Sequence, residues 1–571
     1  MLPGNGSERI RCDIIHPPET QGLKYECISY RAGDPKDILE IEVNGHSFNA
    51  FASLGAALRK LRLPDRSRIL WADQICINQN EVLERNNQVL KMRTFYENAE
   101  CVLVWLGALM AGDVAFDALQ ILRAEYDNKL SNYTRNLQKS YKVMPLDIIS
   151  IQRSIAEGVL NEMLSDDQNS PKLVPKYEAL GNLFRSELWT RLWIWQEIVV
   201  ARSVCLEWDT HSIDFDDLLV VGRILMRLDE IEWAQPMPKI LLYLIGSPPV
   251  PNMSPSRLVD ILVLHRRRHN WQQRKALHLI DLLDSARPAG STDPRDKVFA
   301  LCGLVDPGYN IIPNYSETIV QTYCKTAVSI MEQEQSLDIL ENCRHPRATD
   351  VSRPLPTWCP DWSLKFNVIS GRVRLLWDDI SSIACRFKAS AATRGSFQVR
   401  EGSLFAQGLP IGAIQSIGTQ AEPDEKSFED KFDSLLNSWS RLLGEHTTVT
   451  GELRLKLERT ATIDDRGYPN VSIPRNVIDA INYNNLKRDA VNGRRRFFMT
   501  GNRLMGMAPP HVEVEGLVVV LLGARVPFLL RKADGFYTLV GEAYVSDHYI
   551  VGAAITDMEA GKIQVQDFEI R

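Results

Sequence analysis

The sequence predicts an α/β fold, a doubly wound parallel sheet with a helical insertion and extension, followed by a β-rich C-terminal domain. Three observations carry that expectation. Strand-like apolar runs alternate with amphipathic helical runs over residues 24–107. One of them, "CVLVWL" at 101–106, is apolar throughout, as a parallel strand covered on both faces requires. Beyond about residue 350, strand signals dominate, as in the hairpin pattern that turns at Asp534-Gly535.

Each element follows from local pattern. "KYECISY" (24–30) is a short apolar run that stops at Arg31. "ILEIEVNGHSFNAF" (38–51) alternates across Asn44-Gly45, the dipeptide favoured by a type I′ hairpin turn. "SLGAALRKLR" (53–62) sets Leu54, Ala57, Leu58 and Leu61 on one helical stripe. "RILWADQICI" (68–77) reads as a strand. In the helix predicted over 78–99, Asn78 is placed to cap and Glu81 to answer it three residues on. Val89, Met92, Tyr96 and Ala99 give that helix an apolar face.

The resulting β-α-β-α-β order, with right-handed crossovers, builds a parallel sheet. Such sheets bind ligands outside the carboxyl ends of their strands. Ser29, Tyr30, Arg31, Asp73 and Trp105–Gly107 are therefore expected on one rim.

The domain plan that follows has three parts. Residues 1–205 form the α/β domain, with a helical insertion at 108–180. Residues 206–350 extend it as a mainly helical region, in which "STDPRDKVFALCGLV" (291–305) starts a helix with Asp293 as cap and Pro294 in the first turn. The Pro-rich stretch at 346–362 marks a boundary, and 351–571 is the β-rich domain.

Composition excludes several classes. A chain of 571 residues exceeds one hydrophobic core. Its formal charge of −6 argues against an obligatory nucleic-acid partner, and "HRRRH" (265–269) and "GRRR" (493–496) read as solvated faces. No signal-like apolar stretch opens the chain, and the apolar run at 517–530 is interrupted by Arg525 and Pro527, so no membrane partner is expected. Ten scattered cysteines without a C-x-x-C pair read as reduced thiols, which places the chain in the cytoplasm. The histidines show no ligand spacing, so no metal is assigned, and no serine-hydrolase or phosphate-loop motif occurs.

One stretch stands apart. "LWTRLWIWQEIVVAR" (188–202) holds Trp189, Trp193, Trp195 and then Glu197, within a helix predicted over 187–202. Read as chemistry, it is an acid held against aromatic walls. Read as packing, Trp189, Leu192, Trp193, Gln196 and Val200 form a core stripe, and Glu197 is a boundary residue paired with Arg191 or Arg202.

The order of "YECISYRAGDP" (25–35), "LWADQICINQNEVLERNNQVLKMRTFYENAECVLVWLG" (70–107), "LWTRLWIWQE" (188–197) and "DPRDKVFALCGL" (293–304) resembles the fungal heterokaryon-incompatibility (HET) domain. Later blocks fit as well, among them "LPTWCPDWS" (355–363) and "RRFFMTGNRLMGMAPP" (495–510). One position departs, since Ala32 stands where the family's first block carries tryptophan. The resemblance implies nonself recognition leading to programmed cell death, with a protein partner in incompatibility signalling.

A more distant similarity, of "CISYRAGDP" and of the Trp193–Glu197 spacing, is to TIR domains. It implies a flavodoxin-like sheet and self-association into a homo-oligomer on activation. It also implies NAD+ as substrate, with no cofactor and with Glu197 catalytic at the N-glycosidic bond. Ser29, Tyr30, Arg31, Asp73 and Trp193 would line the substrate. The chemistry is coherent: departure of neutral nicotinamide leaves positive charge on the ribose, which a nearby carboxylate stabilises. Two other readings stay open, a non-catalytic self-association module and a recruited small-molecule enzyme.

Overall fold

The computed structural model describes residues 1–6, 8–16, 22–79, 81–108, 111–139, 179–209, 211–221, 257–343, 355–364, 387–419, 427–444, 451–461, 491, 495–546 and 549–571. Much of the expected insertion at 108–180 lies outside these residues. The chain is a mixed α/β protein with a β-rich C-terminal region, and it divides into two compact units. The first comprises Met1–His278, Ala289–Asp306 and Ile312–Ser316; the second comprises Leu279–Pro288, Pro307–Ile311 and Glu317–Arg571.

In the first unit, β1 (Arg11–Cys12) and β2 (Glu26–Ser29) precede β3 (Ile38–Val43), which turns into β4 (His46–Phe51). Asn44 and Gly45 make that turn with φ of 52° and 75°, the two positive values that a type I′ turn demands. Strands β1, β3 and β4 form a small sheet of their own. Helix α1 (Ala52–Leu61) buries Leu54, Ala57, Leu58 and Leu61, the predicted stripe. Then come β5 (Leu70–Trp71), α2 (Asp73–Cys76), α3 (Val82–Asn98) and β6 (Cys101–Gly107). Helix α4 (Gly112–Lys139), α5 (Ile194–Val199), β7 (Val204–Trp208), β8 (His211–Asp214) and α6 (Leu258–Gln272) follow. Helix α7 (Leu279–Ser285) belongs to the second unit, and α8 (Asp296–Cys302) returns to the first.

The main sheet runs β5-β2-β6-β7-β8, with the first four strands parallel and β8 antiparallel at the edge. Numbered along the chain, the parallel strands lie in the order 2-1-3-4. Strand β6 is flanked by parallel neighbours, and its residues Val102–Leu106 are buried, which explains its unbroken apolar run. Because β2 ends at Ser29 and β5 at Trp71, Tyr30 and Asp73 emerge side by side at the carboxyl ends of adjacent strands.

Four local expectations are corrected. Residues 68–77 hold a two-residue strand and then helix α2, whose Cys76 and Ile77 amides donate to Ala72 and Asp73 carbonyls at 2.9 and 3.0 Å. Helix α3 is capped by Glu81 rather than Asn78, because the Glu81 carboxylate accepts from the Leu83 and Glu84 amides. The Asn78 amide instead donates to Glu84 at 3.0 Å. The region after 206 opens with strands β7 and β8 before any helix. The predicted helix over 187–202 is broken: a 3-10 turn at Glu187–Thr190 is separated from α5 by Arg191, Leu192 and Trp193. That break is tied across to Gly290, whose carbonyl accepts from the Leu192 amide at 2.9 Å.

In the second unit, α9 (Ile319–Glu334) begins in a capping box formed by Thr318 and Gln321. After it come β9 (Phe397–Arg400), β10 (Ser403–Ile417), α10 (Phe428–Leu442) and α11 (Gly451–Ala461). Strands β11 (Arg496–Thr500), β12 (Met505–Ala508), β13 (Leu517–Leu521), β14 (Phe528–Lys532), β15 (Tyr537–Glu542) and β16 (Tyr544–Val545) follow. Helix α12 (Ala553–Glu559) and β17 (Gln566–Ile570) close the chain. The long β10 pairs with β17, β13 and β11 in succession. Since β13, β14 and β15 pair in series and β15 meets β17 at Tyr537 and Ile570, five strands close into a ring. Leu409, Ile411, Val518, Val520, Leu529 and Val540 pack in its core cluster. Closure removes the unpaired edges that these five strands would otherwise expose.

Two leucines on the first unit's helices test its packing. Leu54 is wholly buried and Leu83 is 71% exposed. Leu54→Ala is expected to cost about 3 kcal/mol through lost transfer energy and a residual cavity, and Leu83→Ala under about 0.5 kcal/mol. Urea midpoints of the two variants measure the difference.

Candidate functional site

Glu197 lies in α5 with 1% of its surface exposed. An ionised carboxylate removed from water needs hydrogen bonds and a counter-charge. It has both. The Ser29 hydroxyl, at the tip of β2, donates to Oε2. Arg191 approaches with Nη1 at 3.4 Å from Oε2 and Nη2 at 3.3 Å from Oε1, a two-point grip on both oxygens. Burial pushes the Glu197 carboxyl above its ordinary value; Arg191 and the Ser29 hydroxyl pull it back, and the charge of Asp73 adds to the rise.

The geometry around this pair explains why the chain is broken before α5. Arg191 occupies the bridge to Gly290, between the 3-10 turn and the helix, and from there its side chain folds back onto Glu197 six residues later. At the far end of α5, the buried Arg268 guanidinium donates to the carbonyls of Ile198 (3.3 Å), Arg202 (3.0 Å) and Ala201. It thereby ties the last turn of α5 and the two residues that follow Val200 to α6. Gln196, beside Glu197, is 1% exposed, and among the described residues its Oε1 meets no partner.

The remaining candidate residues divide. Tyr30 is buried, and its hydroxyl donates to Asp73 Oδ1 at 2.7 Å; burial, then the charge of Asp73, push its phenol well above the usual range. Asp73 also accepts from the Gln74 amide at 2.8 Å. Arg31 is half exposed and pairs with Glu187, not with Glu197. Trp193 is partly buried, and its indole N–H points at Asp296 Oδ2, 3.4 Å away. Of the other two tryptophans, Trp189 donates to the Leu183 carbonyl at 2.7 Å and stacks on Phe215, and Trp195 is 4% exposed, so both are core. Ser29 and Glu197 are thus brought together, Tyr30 and Asp73 form a second pair beside them on the rim, and Arg31 stands apart.

In the sequence Asp293, Arg295, Asp296 and Lys297 could serve a ligand, but capping and local ion pairs explain "DPRDKV" more cheaply, so Asp296 is not among the expected site residues. The ion-pairing part of that reading holds for Asp293, which accepts from the Arg295 amide (3.0 Å) and guanidinium (2.9 and 2.7 Å). Helix α8 itself starts at Asp296 with Arg295 at the cap position, so Asp293 is not its N-cap. Asp296 binds distant partners, Trp193 and the Tyr315 hydroxyl, the latter at 2.6 Å. Among the described residues no helix is long and apolar enough to cross a membrane, and no group of His, Cys, Asp and Glu is arranged to hold a metal.

Comparison with known proteins adds two domains and one relative. Residues 25–197 match the family described as heterokaryon incompatibility protein (HET), and residues 408–562 match the Het-6 beta-barrel domain. The first match spans the candidate site from β2 to Glu197, and the second covers β13, β14, β15 and most of β10 in the closed ring, ending before β17. The chain is similar to heterokaryon incompatibility protein 6, OR allele, of Neurospora crassa, at 25% identity over 94% of this chain and 91% of that protein. No solved structure matches the chain.

The Glu197–Arg191 pair gives a pH-dependent prediction. A carboxyl whose folded pKa lies above its unfolded value contributes most stability at low pH and loses that share as pH rises. Arg191→Met removes the strongest influence opposing the rise at Glu197. The variant is expected to lose about 3–5 kcal/mol at neutral pH, where the buried acid has lost its counter-charge. The loss shrinks toward pH 5, as the acid protonates. Urea midpoints at pH 5 and pH 7, compared with wild type, read the effect.

Proposed function

The chain belongs to the heterokaryon-incompatibility (HET) family, and from that premise we propose that it acts in nonself recognition as an NAD+ glycohydrolase working through Glu197. The observation that carries this reading is the meeting of Glu197 with Ser29 at the carboxyl end of the first parallel strand. Parallel α/β sheets take their ligands at that rim. The strand order 2-1-3-4 agrees with the flavodoxin-like order and supports a TIR-like first unit. In this reading Glu197 faces the positive charge that develops on the ribose as nicotinamide leaves. Trp193, one turn earlier, excludes water, and Tyr30 and Asp73 meet the ribose hydroxyls. Self-association on activation, a cytoplasmic setting and a partner in incompatibility signalling complete the proposal.

A second reading is favoured by one specific observation. Glu197 already has its charge answered by Arg191 and a hydroxyl. On that basis the pair is a structural ion pair inside a module that signals by contact with further copies. Purified protein incubated with NAD+ separates the two. Under the first reading nicotinamide is released and Glu197→Gln lowers the rate at least about a hundredfold, the scale of one lost charge-stabilising group. No release by wild-type protein at any concentration up to the one at which it self-associates rejects that reading in favour of the second.

A further inference from the structure

Trp193 and Trp189 solve the same problem differently. Each indole has one N–H to satisfy. Trp189 uses a backbone carbonyl, that of Leu183. Trp193 uses the carboxylate of Asp296, which is 8% exposed and so has lost most of its hydration. A backbone oxygen satisfies an indole without that desolvation, so the acid calls for a reason of its own.

Its surroundings sharpen the question. Oδ1 accepts from the Tyr315 hydroxyl and Oδ2 from Trp193, so both partners are neutral donors. The charged groups nearby are engaged elsewhere. Arg85, from α3, lies over the Tyr315 ring at 4.0 Å, and Arg295 lies 5.3 Å from the same ring while bound to Asp293. Lys297, next along α8, donates to the Ala289 carbonyl. Phe299 packs edge-on against Tyr315 at 5.1 Å. Among the described residues no cation forms an ion pair with Asp296.

We infer that Asp296 is a positioning residue that holds the Trp193 indole through a charge-assisted hydrogen bond, and that this hold weakens when Asp296 takes up a proton. The proton logic follows from donor chemistry. Tyr315 can turn its hydroxyl round and accept from the protonated acid. Trp193 can only donate. On protonation its bond therefore passes from a charged to a neutral acceptor, roughly half as strong. Burial pushes the Asp296 carboxyl up to about 6, with Asp293 adding to the rise and Tyr315, Trp193 and Arg85 opposing it, so the change falls just below neutral pH. The hold itself stands on this geometry. Its consequence for catalysis rests on the reading of Glu197 as the working acid, because Trp193 sits one helical turn before it.

Full-length protein labelled with 15N at tryptophan tests the inference, the Trp193 indole signal being assigned by its loss in Trp193→Phe. The indole proton is expected to move upfield as pH falls from 7.5 to 5, with a midpoint near 6. In Asp296→Asn, which keeps an acceptor but no charge, the signal is expected to be flat over that range. A flat signal in wild type, or an unchanged titration in Asp296→Asn, overturns the inference. Turnover supplies the separate arm. If NAD+ is cleaved, Asp296→Asn is expected to lower kcat/KM about tenfold at pH 7.5 and to remove the step near pH 6. If NAD+ is not cleaved while the indole still titrates, the glycohydrolase reading fails and the positioning role stands.

Discussion

Keeping one negative charge out of water at Glu197 constrains most of what surrounds it. A buried carboxylate costs several kcal/mol unless its oxygens are bonded and its charge is matched. Ser29 and Arg191 do both, but only if three segments far apart in sequence arrive together. Strand β2 delivers Ser29 at its last residue. The bridge to Gly290 stops the chain from running as one helix and leaves Arg191 free to fold back. Arg268, from α6, fixes the other end of α5 through three carbonyls. A six-residue helix is too short to hold its own geometry, so the position of Glu197 comes from these ties.

The same economy of partners runs along the rim. Tyr30 meets Asp73 because β2 and β5 are adjacent and parallel, so that residues just beyond their ends share one edge. The charge of Asp73 then acts on Glu197 and on Arg191 together, raising the first acid's pKa and strengthening the cation's hold. Two acids, one guanidinium and two hydroxyls thus form one electrostatic unit, in which a change at any member shifts the others.

What could be read in the sequence was what is decided locally. The Asn44-Gly45 hairpin, the stripe of α1 and the apolar run of β6 depend on near neighbours and on period alone, and they stand as expected. The tryptophan segment was misread as one helix because its break is imposed by Gly290, about a hundred residues on, which no local pattern announces. Glu81 displaced Asn78 as cap because both fit a capping pattern and only the path of the preceding chain chooses between them. Arg191 was visible as a partner for Glu197, six residues away. Asp296 was not, since its bonds to Trp193 and Tyr315 span 103 and 19 positions. The sequence offers only a familiar turn motif there, and local pairing accounts for Asp293 and Arg295 without any need of a second acid.

The Arg191 pairing bears on both functional readings, and exposure shows how they relate. Without a counter-charge, desolvation would drive Glu197 toward its neutral form, which cannot stabilise a cationic ribosyl centre. Arg191 opposes that drive, yet it also answers the acid's field where a substrate would feel it. The two side chains are not equally enclosed: 2% of the Glu197 side chain is exposed against 21% for Arg191. The cation is therefore the member on the water side. A glycohydrolase of this geometry works only if the developing positive charge on the ribose takes over the role of Arg191, so that the guanidinium is both the guard of the acid and the group that has to yield. A scaffold makes no such demand, and in it the guanidinium never moves. The mobility of one arginine, rather than the presence of the acid, is the physical point on which the two readings part.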